Sequence, residues 1–388
     1  MILLLLCTAL AGPLSHWGAG ESGFSAATAT DDGPYAAWTN PAAMQTDRIE
    51  SSVDLVAGSA SLDVDGAPVY AQAAPGLSVG ATLNGYFANV PAAHLGIALH
   101  LPVVGPYGWS AEPEAIPDTT EPLPQVPRFS QDLTRLEAAV AGNIWVADSL
   151  SIGFGVDVSA SIETLTDVII DDLAAPEDAL RAQDVTIKPT FHPYLGIIGI
   201  IGDQDQTHVR IGALGRTGRR LKDFGTSNLL FGSGAFVYRH NFVRFYAPPT
   251  GTLSVDLRVP GTASFRAETS LEAWSVAPGP YGEDLGESWT NSVVTRVGLR
   301  GDFAPVHPMI GYSYDPGPAA GIAPNSLHLD GASHVFTGGL GARVFDQDGQ
   351  SMDVHAGALW RLFPESQLQG HSLNGHLAGV RAGMTMVR

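Results

Sequence analysis

From residue 49 onward, apolar and polar positions alternate with a period of two. Leu253, Val255, Leu257 and Val259 alternate with Thr252, Ser254, Asp256 and Arg258. Ile152, Phe154, Val156, Val158 and Ala160 oppose Gly153, Gly155, Asp157, Ser159 and Ser161. The same dyad runs from Met352 to Trp360, with Leu359 the exception, and from Ala378 to Met386. One face is apolar and the other carries charges, glycines and hydroxyls, the pattern of a half-buried strand. A soluble sandwich would pack its apolar faces with large side chains. Here many apolar positions are Ala or Val, and the opposite faces hold both Arg and Asp. That distribution suits an all-β, transmembrane antiparallel β-barrel with its apolar face on lipid and its polar face on a lumen.

Turn signals support this reading. Short turns are expected at Ala147-Asp148-Ser149, Gly202 to Gln206, Ala304 to His307 and Asp346 to Gln350. Long loops are expected at 103–130, 163–186, 222–249, 276–290, 315–333 and 364–374. Short turns at one end and long loops at the other is the asymmetry of an outer-membrane barrel. One helical stretch is expected, Pro176 to Gln183, inside a long loop.

Composition narrows the function. The 388 residues include 39 Asp plus Glu against 20 Lys plus Arg, a net charge of -19. Such a balance excludes a nucleic-acid binder built on a basic face, so no nucleic-acid partner is expected. Charged residues are only 15% and hydrophobic residues 45%, which argues against disorder. The apolar run Ile2 to Leu6, followed by Ala9-Leu10-Ala11 and Gly12, reads as a secretory signal over residues 1–11. Cys7 is the single cysteine, so the cleaved chain would have neither disulfide nor thiolate chemistry. Twelve histidines are scattered without ligand spacing, and no nucleophile elbow or P-loop occurs. Neither an enzyme nor a cofactor or metal is expected.

Residues 12–46 lack alternation and are rich in small residues, so the segment is either a leader or an element that plugs a lumen. Within it lie Asp31-Asp32 and Asn40-Pro41-Ala42. With a Gly/Ala-rich run before them, these resemble the N-terminal segment of the FadL/TodX outer-membrane transporters of long-chain fatty acids and aromatic hydrocarbons. The stretches Asp148 to Val158, Met309 to Pro316 and Phe336 to Gly341 are also similar to that family. The C-terminus, Met386-Val387-Arg388, departs from its usual aromatic ending.

The resemblance implies a barrel of about 14 strands over residues 47–388 and a plug over 12–46. It further implies a bacterial outer-membrane location, contact with outer-membrane lipid and lipopolysaccharide, and uptake of a hydrophobic small-molecule ligand. A general porin or structural barrel is the alternative.

Candidate site residues follow from these readings. Asp31, Asp32, Asn40 and Pro41 either anchor a plug to lumen arginines such as Arg210 or Arg300, or form a solvated turn. Arg219 and Arg220, in the basic cluster Arg216 to Lys222, either attract a ligand carboxylate, or answer surrounding acid or bind anionic lipopolysaccharide at the outer rim. Phe231 and Phe236 belong to an aromatic series in the same loop. That series fits an acyl-chain groove or an interfacial girdle.

Overall fold

A computed structural model describes residues 29–44, 49–64, 66–84, 93–102, 137–170, 180–231, 234–276, 290–318, 332–368 and 371–388. The expected signal segment 1–11, residues 12–28 and 45–46 of the 12–46 segment and the whole 103–130 loop lie outside these residues. Sixteen strands are present among the described residues. The first eight are β1 (Glu50–Val64), β2 (Ala67–Asn84), β3 (Ala93–Pro102), β4 (Glu137–Ala147), β5 (Leu150–Ile170), β6 (Leu180–Ile201), β7 (His208–Arg216) and β8 (Arg219–Phe231). The second eight are β9 (Gly234–Ala247), β10 (Thr250–Val259), β11 (Ala263–Glu272), β12 (Ser292–Gly301), β13 (Val306–Asp315), β14 (Ser333–Gln347), β15 (Gln350–Leu368) and β16 (His371–Val387).

Fourteen of them close into an antiparallel barrel. Neighbours in sequence pair around the ring, and β1 pairs with β16 from Glu50↔Val387 to Val64↔Leu373. The backbones of Ile49 and Arg388 exchange two hydrogen bonds of 2.9 Å just beyond that seam. β7 pairs directly with β10, which leaves β8 and β9 outside the ring.

Side-chain alternation follows the sequence. On β10, Leu253 is 57% exposed on the outside while Ser254 and Asp256 are 1% and 0% exposed inside. Outward apolar side chains on such a wall meet lipid, and strands of ten residues, such as β10 to β13, are long enough to cross it at a tilt. The turns are short at one end. Asp348 and Gly349 join β14 to β15 with φ of 53° and 76°, the doubly left-handed turn that an Asp-Gly pair favours.

Three expectations are corrected at the loop end. Residues 222–249 are mainly a hairpin of β8 and β9, in which β8 runs parallel to β5 from Ile162↔Asp223 to Ile170↔Phe231. The 163–186 and 364–374 segments are largely strand, because β5–β6 and β15–β16 continue their pairing beyond the expected loop starts. The expected helix Pro176 to Gln183 is also overturned where it is described, since β6 begins at Leu180 and its pairing with β5 satisfies those backbone groups.

The wall orientation predicts a depth-dependent cost. Val255→Arg is expected to destabilise the barrel by about 2–4 kcal/mol near the midplane, and Val255→Leu to be close to neutral. Denaturant unfolding in lipid vesicles measures both. Equal stability of the two variants would reverse the face assignment.

Candidate functional site

The N-terminal segment 29–44 lies against the inward face of the wall. A single-turn helix, α1 (Ala36–Thr39), is followed by a 3-10 turn, Pro41–Ala43. Asn40 caps that turn by accepting from the backbone N–H of Ala42 at 3.1 Å, and Pro41 opens it. Pro suits that position because its missing N–H would have no partner there. Tyr35, Ala36, Ala37, Trp38, Ala42, Ala43 and Met44 form one apolar cluster with Ala98, Ala139, Ala141, Tyr194, Ile198, Ile200 and Leu214 of the wall.

Glycines make this close approach possible. Gly80 of β2, Gly96 of β3, Gly153 of β5, Gly196 of β6 and Gly212 of β7 all face inward under the segment. A Cβ on Gly80 would fall 2.7 Å from the Tyr35 ring, and one on Gly96 would fall 2.7 Å from Met44 Sδ. On Gly153, Gly196 and Gly212 it would collide with Ala42 N, Asn40 Oδ1 and Ala29 O respectively. Glycine inside a strand marks a place where another backbone comes close.

Polar bonds hold the segment to several parts of the ring. Asp32 accepts from Arg210 Nη1 at 2.6 Å and from Arg258 Nη1 and Nη2 at 2.7 and 3.1 Å. Burial alone would raise the Asp32 carboxyl, but Arg258 and Arg210 hold it well below the usual carboxylate range. Across the lumen, Tyr35 donates its hydroxyl to Asp54 Oδ2 at 2.6 Å. Asp54 in turn pairs with Arg381 and His355 of β16 and β15. Burial first, then the Asp54 charge, pushes the Tyr35 phenol well above its ordinary value, so it stays a donor. Tyr194 donates to Ala37 O. Asn143 and Trp145 donate to Met44 O at 2.7 and 3.2 Å.

The candidate residues are distributed through this arrangement and above it. Asp31 is buried, and its Oδ1 accepts from Gly33 N at 3.2 Å. Asp32 reaches Arg210 as expected, but Arg300 pairs with Asp302 at 2.8 Å instead. Asn40 Nδ2 donates to the carbonyl of Ala29 at 2.7 Å and to that of Ala213 on β7 at 3.5 Å, so it braces the segment and meets the wall's backbone rather than an arginine. Arg219 is buried and bridges Glu137 and Asp157, at 2.8 Å each. It answers surrounding acid, and the two strand carboxylates that hold it belong to the protein itself. Arg220 is half-buried on β8 opposite Tyr246. Phe231 ends β8, its side chain outside the described residues, and Phe236 stands 56% exposed on β9.

Sequence reasoning missed Tyr35, Trp38, Asp54, Asn143 and Tyr194. One signal was available: glycines and acids recur at inward positions of neighbouring strands where small polar residues would suffice.

No protein-family model and no curated protein sequence matches this chain. Solved structures do. A FadL homologue from Pseudomonas aeruginosa superposes with a TM-score of 0.60 at 14% identity, covering 99% of each chain. The toluene transporter TodX of Pseudomonas putida gives 0.52 at 13% identity over 100% of this chain and 99% of its own. The monoaromatic hydrocarbon channel CymD gives 0.53 at 12% identity over 96% of each.

Two outcomes test the seat of the segment. Gly153→Ala is expected to unseat it, raising hydrogen exchange at the amides of Ala36 to Met44, while Gly215→Ala, whose Cβ meets nothing within 4 Å, should leave them protected. Equal protection in both variants would disprove the close-approach role of Gly153. Asp32→Asn leaves the fully buried Arg210 without that carboxylate and is expected to weaken seating by about 3–5 kcal/mol. The folded-state carboxyl of Asp32 lies below its unfolded value of about 3.9. Its stabilisation is therefore complete above about pH 4 and lost as pH falls towards the folded value. Seating that weakens between pH 8 and 5 would contradict this assignment.

In sequence these relatives are distant, and what the likeness establishes is architecture: this chain has the barrel fold shared by the FadL homologue, TodX and CymD structures.

Proposed function

We propose that this chain carries hydrophobic small molecules, long-chain fatty acids or related hydrocarbons, across the bacterial outer membrane through a plugged barrel. The observation that carries the proposal is the seating of residues 29–44 on a row of inward glycines inside a lipid-facing wall. An apolar solute crosses a polar outer leaflet poorly, so uptake requires a sheltered lumen that does not leave an open aqueous hole. A wall of strands supplies the shelter, and a segment of small residues packed across it supplies the closure. In this reading residues 12–46 are the plug and residues 47–388 the barrel, whose loop end meets outer-membrane lipid and lipopolysaccharide. The toluene transporter TodX and the monoaromatic hydrocarbon channel CymD share this fold, which supports the same reading. The described residues within the lumen anchor and fill, and no catalytic role is assigned to them.

Removing the plug separates transport from a general porin. Deleting Ala29 to Met44 is expected to leave a heat-modifiable barrel with a steady ion conductance and no selective uptake of an apolar ligand. A steady large conductance in the intact protein, or a deletion variant that stays closed and transports normally, would overturn the proposal.

A further inference from the structure

The β8–β9 hairpin leaves the wall at the end of β7 and returns at the start of β10, two strands that pair with each other. Yet β8 pairs with β5, on the edge that β4 occupies lower down. β4 pairs with β5 up to Ala138↔Val158, and β8 takes over that edge from Ile162↔Asp223. In the ring, β6 lies between β7 and β5. Both legs of the hairpin therefore cross the loop ends of β6 and β5, three strand spacings or roughly 14 Å.

They cross on the lumen side. Thr217 still donates its N–H to Pro193 O of β6 at 3.2 Å. Two residues later Arg219 is buried, and its guanidinium closes on Glu137 of β4 and Asp157 of β5. That guanidinium lies 5.3 Å from the Trp38 ring of α1. Arg216 stands beside it, 4.8 Å from the same ring and 4.3 Å from that of Tyr194. On the return leg Tyr246 and Ala247 are buried, and the Tyr246 ring meets Trp274, just beyond β11, at 6.0 Å between centroids. The two legs pair with each other at Arg219↔Ala247. They form a two-stranded strap laid over α1, from the β10–β11 side of the mouth to the β4–β5 side.

Trp38 and Tyr194, members of the apolar cluster around α1, are buried beneath this strap. An apolar solute arriving at the loop end reaches that cluster only when the strap lifts. The strap is lightly held. A buried guanidinium closed on carboxylates is directional but adds little net stability, because desolvation offsets most of the Coulomb energy. Further out, Leu165 of β5 and Leu230 of β8 are 43% and 38% exposed, so neither is buried by the pairing of the two strands. Elements with few buried apolar contacts open at low free energy.

We propose that the β8–β9 hairpin is an outer gate over the N-terminal segment, and that Arg219 is the residue that positions it shut. The inference rests on the transport reading above and adds a second moving part to it. The N-terminal segment remains the ion seal, and the strap controls access to its outer face.

The test pairs a lock with a release, both in the full-length protein. Leu165→Cys combined with Thr226→Cys places two thiols at partner positions of the β5–β8 register, so a disulfide between them holds the hairpin on the wall. Uptake of oleate or toluene, whichever the unmodified protein carries, is expected to be lost on oxidation and restored by dithiothreitol, a reversal that a purely structural role would not give. Arg219→Gln removes the latch and is expected to raise hydrogen exchange at the amides of Asp223 to Phe231, leaving those of Leu253 to Leu257 protected. Heat-dependent gel mobility verifies that each variant is folded, and if Arg219→Gln does not fold, the lock decides. Equal uptake by the oxidised and reduced double variant, thiols that do not join, or unchanged exchange in folded Arg219→Gln would overturn the gate while leaving the transport reading intact. Uptake of neither solute by the unmodified protein would refute both.

Discussion

A strand edge in hydrocarbon exposes a row of N–H and C=O groups that no water can satisfy, so a sheet crosses a membrane only when it has no edge. The pairing of β1 with β16 meets that condition here, and the rest of the molecule is organised by it. Once the ring closes, strand alternation sends every second side chain to lipid and every other one to the interior. Val or Leu outside therefore implies Ser, Asp or Gly inside at the next residue, as on β10. Closure also creates a lumen that must be filled if the barrel is not to be a hole, and residues 29–44 occupy part of it.

What fills the lumen is polar as well as apolar. Ion pairs and hydrogen bonds bind residues of distant strands and of the N-terminal segment into small networks, with Asp32 between Arg210 and Arg258 on one side and Asp54 among Tyr35, His355 and Arg381 on the other. Buried pairs of this kind add little net stability, because desolvation offsets most of the Coulomb energy. Their directional bonds are specific, however, and Arg210, Arg258, Arg296, Arg361 and Arg381 each meet an acid at a fixed place in the ring. Position, more than stability, is what these pairs confer. Glycines do the complementary work by letting the segment's backbone reach the wall.

The β8–β9 hairpin illustrates where sequence reasoning stops. Its residues mix arginine, aromatic and glycine without a clean apolar face, so they read as a loop. The strand state arises from pairing with β5, a parallel contact between segments about sixty residues apart that no local pattern announces. A similar limit applies inside the lumen. Asp32 was legible as a candidate anchor because an acidic pair in a small-residue segment is conspicuous, and its partner Arg210 stood at an inward position of a recognisable strand. Trp38 and Tyr194 looked like ordinary aromatics, since nothing nearby in the chain distinguishes a ring that packs under an arginine from one in a girdle.

The sequence by itself determined the body of the wall: its strands up to the loop end, the lipid and lumen faces, the short turns and the presence of a distinct N-terminal segment. These follow from periodicity and turn chemistry, which act between residues close in the chain and leave a local record. Only the tertiary structure decided which glycines receive the segment, which arginines meet acids, and that Arg216 meets rings instead. Those outcomes depend on the ring's registers, set by backbone pairing between residues tens to hundreds of positions apart. A shift of one residue in any register would turn that strand's lumen side chains to the lipid.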